Sequence, residues 1–468
     1  MFCLEKSVKT FLATISCLFL RDFIIDPDKH FIRERKMCYK DYIKFIFWNK
    51  GRNNDIETTE FLKVFLNKKY ETVSHQAIGK QRVFIKPELF IMIYKRFINK
   101  IYRENKHFSD FKGYIVCACD GSIFDLPNVT LTHQEFNIKD KSLFENQRIR
   151  ARVSGIMDVN SKLMLTCKIV ERTVKETSLA MEHLLDLKKR FNIEKLITIY
   201  DRGYNSLELM LFTEKLNSKF LIRLTKKDFI KQRRKIMGQD KRIQINITNN
   251  RIKDFEDKNL QKMANEMGRY NLRIVEITLE NGTTEILATN LNSDEFTIEE
   301  LKELYAQRWS IETGFKKLKS QIMIERFSGH KRIIIEQDFY ASIFLYNIAT
   351  AIQWDAEQSM EIKHRNTGEE FICKPVFASI VGIMYVYMED VLSSNSTKVD
   401  EAINFLIKQA KRLYYEKNKA YLEIIKIIKE IEDLLLQIKW GEEWERHKTP
   451  RNPDDSTNDH PGNPKPTH

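Results

Sequence analysis

Residues 114–121 read YIVCACDG, an apolar run that leads directly into Asp120 and Gly121. Neighbouring side chains of a strand point to opposite faces, so a strand that is apolar at every position is typical of one buried on both sides. The run is also short enough to be a strand. The sequence therefore predicts a central strand with a carboxylate at or near its end.

Downstream of this strand, strand-like and helix-like patterns follow one another. Two runs on either side of residues 159–162 predict a β-hairpin, and a later apolar run leads into Asp201. This alternation favours an α/β sheet covered by helices. The predicted elements are strands Ala151–Asp158 and Leu163–Glu171, helix Ser178–Phe191, strand Leu196–Tyr200, helix Ser206–Leu216 and strand Lys219–Leu224.

Between about residues 225 and 295 the alternation is interrupted, and the pattern predicts a β-rich insertion. The strand-like runs there are Ile243–Ile247, Leu272–Leu279 and Thr284–Ala288. The insertion begins with a basic run, residues 226–235. That run fits a loop that contacts DNA and a merely solvated basic loop equally well.

The regions on either side of this core are predicted to be helical. Residues 1–107 lack strand alternation and form a basic helical domain for DNA binding, and residues 351–445 form a helical C-terminal region. Ser74–Arg82 and the run that follows it to Tyr102 fit both a DNA-docking helix-turn-helix and an ordinary helical hairpin. Residues 446–468 are proline-rich with few apolar side chains, which predicts a disordered tail. The central α/β region is then residues 108–350.

The charge balance points to a class of partner. Lys and Arg number 78 against 65 Asp and Glu, a net charge of +13, which suits a polyanion such as nucleic acid or an anionic membrane. No run reaches the roughly 18 to 20 apolar residues that span a bilayer, so we expect a cytoplasmic protein with no membrane partner. The seven cysteines lack zinc-ligand spacing and are predicted to be reduced and buried.

A predicted helix from Thr297 to about Ile322 carries a polar face. At about 100° per residue, five polar side chains fall within an arc of about 80°. They are Tyr305, Arg308, Glu312, Lys316 and Lys319. Such a face is more often simply solvated and supported by Glu–Lys pairs, so its significance depends on acidic residues elsewhere.

Two further carboxylates supply that context. Asp120 and Asp201 end, or nearly end, predicted core strands, where α/β sheets gather ligand-binding groups. Together with Glu312 they provide three hard oxygen donors, which suit Mg²⁺ or Mn²⁺ and phosphoryl transfer by a metal pair. Asp125 and Asp158 compete for the first position, but strand alternation places Asp125 on the opposite face from Asp120.

The stretch YAQRWSIETGFKKLK, residues 305–319, fits the pattern Y-x2-R-x3-E-x6-K without a gap. This pattern resembles the signature of a group of bacterial insertion-sequence DDE transposases, the insertion-sequence group four type. DGS at Asp120 and DRGY at Asp201 resemble the first two acidic motifs of that group. All three motifs occur in order, and the resemblance covers roughly residues 74–350.

The resemblance implies a ribonuclease-H-like catalytic domain with a β-rich insertion, flanked by helical N- and C-terminal domains. It implies that Asp120, Asp201 and Glu312 are catalytic and hold the metals. It also implies DNA contacts, which we extend to two neighbouring residues: Tyr305, Arg308, Lys316, Lys319, Arg202 and Trp309. For Trp309, stacking on a displaced base competes with packing in the core or against the insertion, and packing is favoured.

The implied function is that of a cut-and-paste transposase, which binds terminal inverted repeats, cleaves phosphodiester bonds and transfers the 3′-hydroxyl ends to target DNA. Double-stranded DNA is the expected partner, at the nucleoid, with a homodimer in the synaptic complex. Val399–Trp440 could form the dimer contact or pack within one chain. Two alternatives stay open: a catalytically silent DNA-binding repressor or inhibitor, and a purely hydrolytic ribonuclease-H-like nuclease.

Overall fold

This computed structural model describes residues 18–33, 35–104, 111–136, 148–278, 282–365, 371–393 and 395–418. The chain divides into two compact units, residues 1–359 with 375–414 and residues 360–374 with 415–468. The predicted tail at 446–468, the predicted helix beyond residue 418 and residues 1–17 lie outside the described residues. Every residue that the sequence suggested for catalysis or DNA binding belongs to the first unit.

A mixed eight-stranded sheet forms the centre of the first unit. Its order is β3-β2-β1-β4-β5-β8-β7-β6, with β1, β4 and β5 parallel and the other neighbours antiparallel. The predicted α/β class is confirmed. The strands are β1 (Ile115–Asp125), β2 (Arg150–Asp158), β3 (Met164–Glu171), β4 (Leu196–Tyr200), β5 (Lys219–Leu224), β6 (Asp240–Asn246), β7 (Arg269–Thr278) and β8 (Thr284–Thr289). A separate pair, β9 (Phe371–Pro375) and β10 (Tyr414–Asn418), falls mainly in the second unit.

The strands of the predicted insertion extend this central sheet. β8 pairs antiparallel with β5 from Leu221↔Thr289 onward, and β7 and β6 follow outward. In β6 buried and exposed residues alternate, as expected for an outer strand with one covered face. The basic run 226–235 lies between β5 and β6, where Arg233 pairs with Glu276 of β7 at 2.8 Å.

Helices cover the sheet and build the regions before and after it. Before the sheet lie α1 (Tyr39–Trp48), α2 (Asn54–Phe65), α3 (His75–Arg82) and α4 (Glu88–Glu104). Among the strands lie α5 (Thr130–Glu135), α6 (Glu176–Lys188), α7 (Leu207–Lys215), α8 (Ile230–Arg233), α9 (Asn249–Ile252) and α10 (Lys258–Met267). After the sheet come α11 (Ile298–Ala306), α12 (Trp309–Lys317), a π-helical turn (Leu318–Ile322), α13 (Arg332–Arg365), α14 (Phe377–Val386), α15 (Met388–Val391) and α16 (Ser396–Ala410). Short 3-10 turns occur at Leu18–Phe23, Ile193–Lys195 and Arg202–Tyr204.

The segment that fits a helix-turn-helix or a helical hairpin corresponds to α3 and α4. Arg82, the last residue of α3, faces the protein interior. Arg82 is 2% exposed, and its Nη2 lies 2.6 Å from Asp338 Oδ1 on α13. Its Nε donates to Gln337 Oε1 at 3.1 Å, while Gln337 Nε2 donates to the carbonyls of Arg82 and Ile85. These buried polar bonds tie the end of α3 to α13, so this end of the helix serves packing in the protein interior.

A second buried polar group lies between the sheet and α6. His183 is fully buried, with Nδ1 3.1 Å from Thr166 Oγ1 and Nε2 3.2 Å from Ser154 Oγ. Burial, together with the positive charge of Lys168, lowers the pKa of His183 to about 3. A neutral histidine therefore bridges two strands of the core.

We expect this histidine to make the fold sensitive to acid. Below the ordinary pKa of about 6.5 the unfolded chain binds a proton that folded His183 excludes, so stability falls from pH 6.5 towards 3 by up to about 1.4 kcal/mol per pH unit. Urea unfolding at pH 7 and pH 5 measures this loss. His183→Gln is expected to show a pH dependence weaker by about 1 to 2 kcal/mol. An equal pH dependence in both proteins would contradict the assignment.

Two expectations about environment can be compared with the described residues. Among them, no helix is both long and apolar enough to cross a membrane. Cys117, Cys119 and Cys167 are buried free thiols, as predicted, whereas Cys38 is free but exposed. Cys38 precedes the first turn of α1, where its backbone N–H donates to Asp41 Oδ2 at 2.7 Å. The prediction of buried thiols is wrong for this residue because it lies at a helix end on the surface.

Candidate active site

The register of two parallel strands brings Asp120 and Asp201 side by side. β1 pairs with β4 through Ala118↔Ile199, and continuing this register by two residues places Asp120 next to Asp201. Asp201 follows the last residue of β4, and its Oδ1 accepts the Gly203 N–H at 2.8 Å. The sequence placed Asp120 at or near the end of its strand, but β1 continues to Asp125 because β2 pairs with it along that whole stretch.

The helix that carries Glu312 is not continuous, which corrects the single helix predicted from Thr297 to Ile322. It divides into α11, α12 and the π-helical turn, with a break at residues 307–308. At the break, backbone bonds span three residues, as in Arg308 N–H to Tyr305 C=O at 3.0 Å and Ser310 N–H to Gln307 C=O at 3.1 Å. The five polar residues are therefore divided among α11, the break, α12 and the π-helical turn, and do not belong to one continuous α-helix.

A glycine allows α12 to approach the sheet closely. A Cβ on Gly314 would lie 2.1 Å from Met157 Cε and 3.2 Å from Tyr346 Oη. The absence of a side chain therefore lets the helix rest against β2, with Ile311 and Phe315 buried on the same side. Glu312 lies between these two apolar residues in the sequence. The packing of α12 therefore places it near β1, the strand that carries Asp120.

Arg308 lies between two of the carboxylates. Its Nη1 is 2.6 Å from Glu312 Oε1 and 3.8 Å from Asp120 Oδ2. The arginine side chain is only 9% exposed, so this contact is largely shielded from water. Its Nε is buried without a hydrogen-bond partner in the part of the chain that the structure describes. A buried donor with no partner is costly, and an acceptor such as a phosphate oxygen would satisfy it.

The acidic side chains influence one another. The pKa of Asp120 is raised to about 7, mainly by burial and in smaller part by the negative charges of Glu312 and Asp201, while the Gly121 N–H and Arg308 act against the rise. Three carboxylates that repel one another in a poorly solvated place are a hard-oxygen donor set whose charge a divalent cation would offset. Among the described residues, no three acidic, histidine or cysteine side chains are close enough together to bind a metal ion in this structure. The Arg308 guanidinium lies close to Asp120 and Glu312 instead.

A cleft of about 330 Å³ opens beside these carboxylates. It is lined by Asp120, Gly121, Ser122, Glu312, Phe315, Lys316, Lys319 and Ser320. The lining combines two carboxylates, Asp120 and Glu312, with two lysines, Lys316 and Lys319. A lining with both charges suits a phosphodiester, whose backbone phosphates the lysines would attract.

The wider basic and aromatic set is only partly at this cleft. Arg202 and Lys316 are exposed, whereas Tyr305 is 6% exposed and its hydroxyl, in the described region, has no hydrogen-bond partner. Trp309 is 49% exposed, with the Arg308 guanidinium 5.2 Å from its ring centroid. We favoured packing in the core or against the insertion for Trp309, and burial in the core is wrong because the side chain is half exposed.

The two competing aspartates have other partners. Asp125 pairs with Arg148 and Arg150 at 2.9 and 3.0 Å, on the exposed end of β1. Asp158 is fully buried and accepts hydrogen bonds from the hydroxyl of Tyr102 and from Ser161. Neither carboxylate lines the cleft, which leaves Asp120 as the first acidic residue of the site.

Sequence reasoning missed a fourth acid near the site. Glu176, the first residue of α6, has its Oε1 2.7 Å from the place where a Cβ of Gly121 would stand. It also lies 3.6 Å from Arg152 Nη1. An acidic residue in the first turn of a helix is so common that the sequence carried no signal for it.

The comparison with protein families agrees with this geometry. A family model described as "Transposase DDE domain" matches residues 112–348, half of the chain. The chain belongs to this family. The matched residues include Asp120, Asp201 and Glu312 and all the strands from β1 to β8. Transposase function follows from the membership.

Among solved structures, this transposase is similar to a piggyBac transposase, seen by cryo-EM in a synaptic complex with hairpin DNA. The two share 10% sequence identity and a TM-score of 0.43, and the match covers 87% of this chain and 85% of that one. No curated protein matches the transposase.

Proposed function

We propose that this transposase cleaves DNA at the ends of its own mobile element and joins the freed 3′-hydroxyl to target DNA. Asp120, Asp201 and Glu312 are the catalytic residues and would hold Mg²⁺ or Mn²⁺. The observation that carries the proposal is that Asp120 lies on β1 and Asp201 directly after β4, the parallel strand beside it, while the Arg308 guanidinium lies close to both Asp120 and Glu312. The proposal includes a ribonuclease-H-like catalytic domain and membership of the insertion-sequence group with the Y-R-E-K signature.

The bound metals would supply the Lewis acidity for water activation and leaving-oxygen stabilisation. The work of the chain itself is to keep the three carboxylates ionised and oriented. Asp120 is the carboxylate that takes up a proton readily, because its pKa is about 7 when no cation offsets the negative charge of its neighbours. The Gly121 N–H, 2.8 Å from Asp120 Oδ1, fixes one of its oxygens.

The cationic side chains bind and orient the DNA. Arg308 has a forked guanidinium that matches phosphate geometry, and its unpaired Nε adds a donor. Lys316 and Lys319 line the cleft and would hold the backbone next to the cleaved bond. Arg202, which is exposed and next to Asp201, would contact the same DNA. Tyr305 is buried and would orient α11 and α12, the helices that carry the signature residues.

Trp309 offers a surface for a base. Its ring is half exposed and lies against the Arg308 guanidinium, so one side chain would hold a phosphate while the other stacks on the neighbouring unpaired base. The proposed partners are double-stranded terminal repeats and target DNA, with two copies of the chain in the synaptic complex.

The experiment that tests this function uses labelled DNA that carries the terminal repeats of the element. Wild-type protein is expected to cut at the repeat ends in Mg²⁺ and not in EDTA. Asp120→Asn is expected to bind the same DNA and leave it uncut, because the neutral amide lacks the negative charge with which the carboxylate would hold a divalent metal. Binding without cutting by the wild type would indicate a silent repressor or inhibitor. Cutting without joining to target DNA would indicate a hydrolytic nuclease.

A further inference from the structure

The ammonium group of Lys319 is attached to the far end of β1. Its Nζ donates to the Ile123 carbonyl at 2.5 Å and lies 4.8 Å from the centroid of the Phe124 ring. It also lies 3.6 Å from Glu325 Oε1. One lysine thus contacts two successive residues of the strand that carries Asp120, together with a carboxylate from the chain beyond the π-helical turn.

Glu325 is itself fixed to that strand. The oxygen that faces Lys319 accepts the Asp125 N–H at 2.8 Å. The Glu325 side chain is 28% exposed and that of Lys319 is 33% exposed, so the pair is partly shielded from solvent and salt. A carboxylate held by a backbone N–H of β1 thus defines where the ammonium lies relative to Asp120.

The chain reversal after the signature helix brings the pair together. Lys319 lies in the π-helical turn Leu318–Ile322, which is wider than an α-helical turn. Met323 then adopts a left-handed conformation with φ +60°, and the Ile324 N–H returns to the Leu318 carbonyl at 3.1 Å. Glu325 is thereby folded back beside Lys319, six residues after it in sequence.

We propose that Glu325 is a positioning residue for Lys319. A lysine ammonium has three N–H donors on a flexible stem. The Ile123 carbonyl and Glu325 engage it from the β1 side, which leaves donor capacity towards the cleft that contains Asp120 and Glu312. Glu325 therefore restricts the lysine to one place, where it meets a DNA phosphate in register with the carboxylates. This role rests on the proposed cleavage of DNA at that cleft.

Glu325→Gln distinguishes the positioning of Lys319 from a purely structural role of Glu325 in the fold. The glutamine oxygen still accepts the Asp125 N–H, so only the negative charge facing Lys319 is removed. We expect the single-turnover cleavage rate at saturating DNA to fall about ten-fold, with DNA affinity within about two-fold of wild type. In a Lys319→Met background the same change is expected to have no further effect.

Glu300→Gln is the matched control. Glu300 also accepts a backbone N–H, that of Thr297 at 2.9 Å, and also pairs with a lysine, Lys112, at 2.8 Å, but it does not line the cleft. Its cleavage rate is expected to match wild type. A rate for Glu325→Gln within about two-fold of wild type, or a ten-fold loss that persists in the Lys319→Met background, overturns the positioning role.

A chemical measurement tests the role without any cleavage. Acetylation of Lys319 in DNA-free protein is followed by mass spectrometry, with exposed Lys316 as the internal reference. Glu325→Gln is expected to raise the labelling of Lys319 relative to Lys316 about three-fold, since the ammonium loses a partner. An unchanged ratio rejects the positioning role. An inactive wild-type protein with the raised ratio rejects only the proposed function.

Discussion

Glu312→Gln is expected to lower metal-dependent cleavage of terminal-repeat DNA by about 10³-fold, which corresponds to about 4 kcal/mol in the barrier. Glutamine keeps the shape of glutamate and can still accept a hydrogen bond from Arg308, whose Nη1 lies 2.6 Å from Glu312 Oε1 in the wild-type protein. It removes one of the three negative charges that would hold the metals next to Asp120. The rate is measured in single-turnover cleavage of labelled DNA, with Mn²⁺ binding followed separately by electron paramagnetic resonance.

The control for this change is Glu303→Gln, an exposed glutamate on α11. It is expected to cut at the wild-type rate. DNA affinity of Glu312→Gln is expected to stay within about three-fold of wild type, because Lys316, Lys319 and Arg202 are untouched. Cleavage by Glu312→Gln at the wild-type rate would remove Glu312 from the catalytic set and leave the signature helix with a DNA-binding role only.

Arg82→Met is expected to lower the free energy of unfolding by about 3 to 5 kcal/mol. The arginine is 2% exposed and forms an ion pair with Asp338, whose side chain is 11% exposed. Its removal leaves that carboxylate buried and without its charge partner, and also frees the Gln337 oxygen that accepts from Arg82 Nε. Urea unfolding followed by circular dichroism measures the loss.

Two comparisons isolate the buried charge as the cause. Lys29→Met breaks an ion pair with Asp26 whose side chains are 74% and 57% exposed, so its effect is expected to be small beside that of Arg82→Met. Adding Asp338→Asn to Arg82→Met is expected to recover part of the loss, since the uncompensated charge disappears. A loss below about 1 kcal/mol in Arg82→Met would show that water reaches Asp338 and that α3 is not anchored through this pair.

Several elements follow from local patterns in the sequence. Strands Leu196–Tyr200 and Lys219–Leu224 were predicted with the bounds that the structure has, because each is a short apolar run between polar or turn residues. The hairpin of β2 and β3 and helix α6 differ from prediction by no more than three residues at any end. The signature spacing also singled out Arg308 and Glu312, which the structure places in contact.

Other features depend on partners distant in sequence. β1 continues past Asp120 because β2 pairs with it as far as Asp125, and no local pattern marks that continuation. The strands of the insertion join the central sheet in the order β5-β8-β7-β6. Strand periodicity predicts that these strands exist but does not predict which strands pair with one another. The exposure of Trp309 and the helix break at residues 307–308 are likewise features that helical periodicity alone does not predict.

The sequence by itself determined the α/β class, the identity of the buried strands and the acidic and basic residues of the signature, because periodicity and spacing are local properties of the chain. Only the tertiary structure decided that Arg308 lies close to Asp120 and that Glu325, which contacts Lys319, accepts a hydrogen bond from Asp125 of β1. The two partners of the bond between Asp125 and Glu325 are about 200 residues apart in sequence. The geometry of these contacts results from the packing of whole helices and strands, which local patterns do not encode.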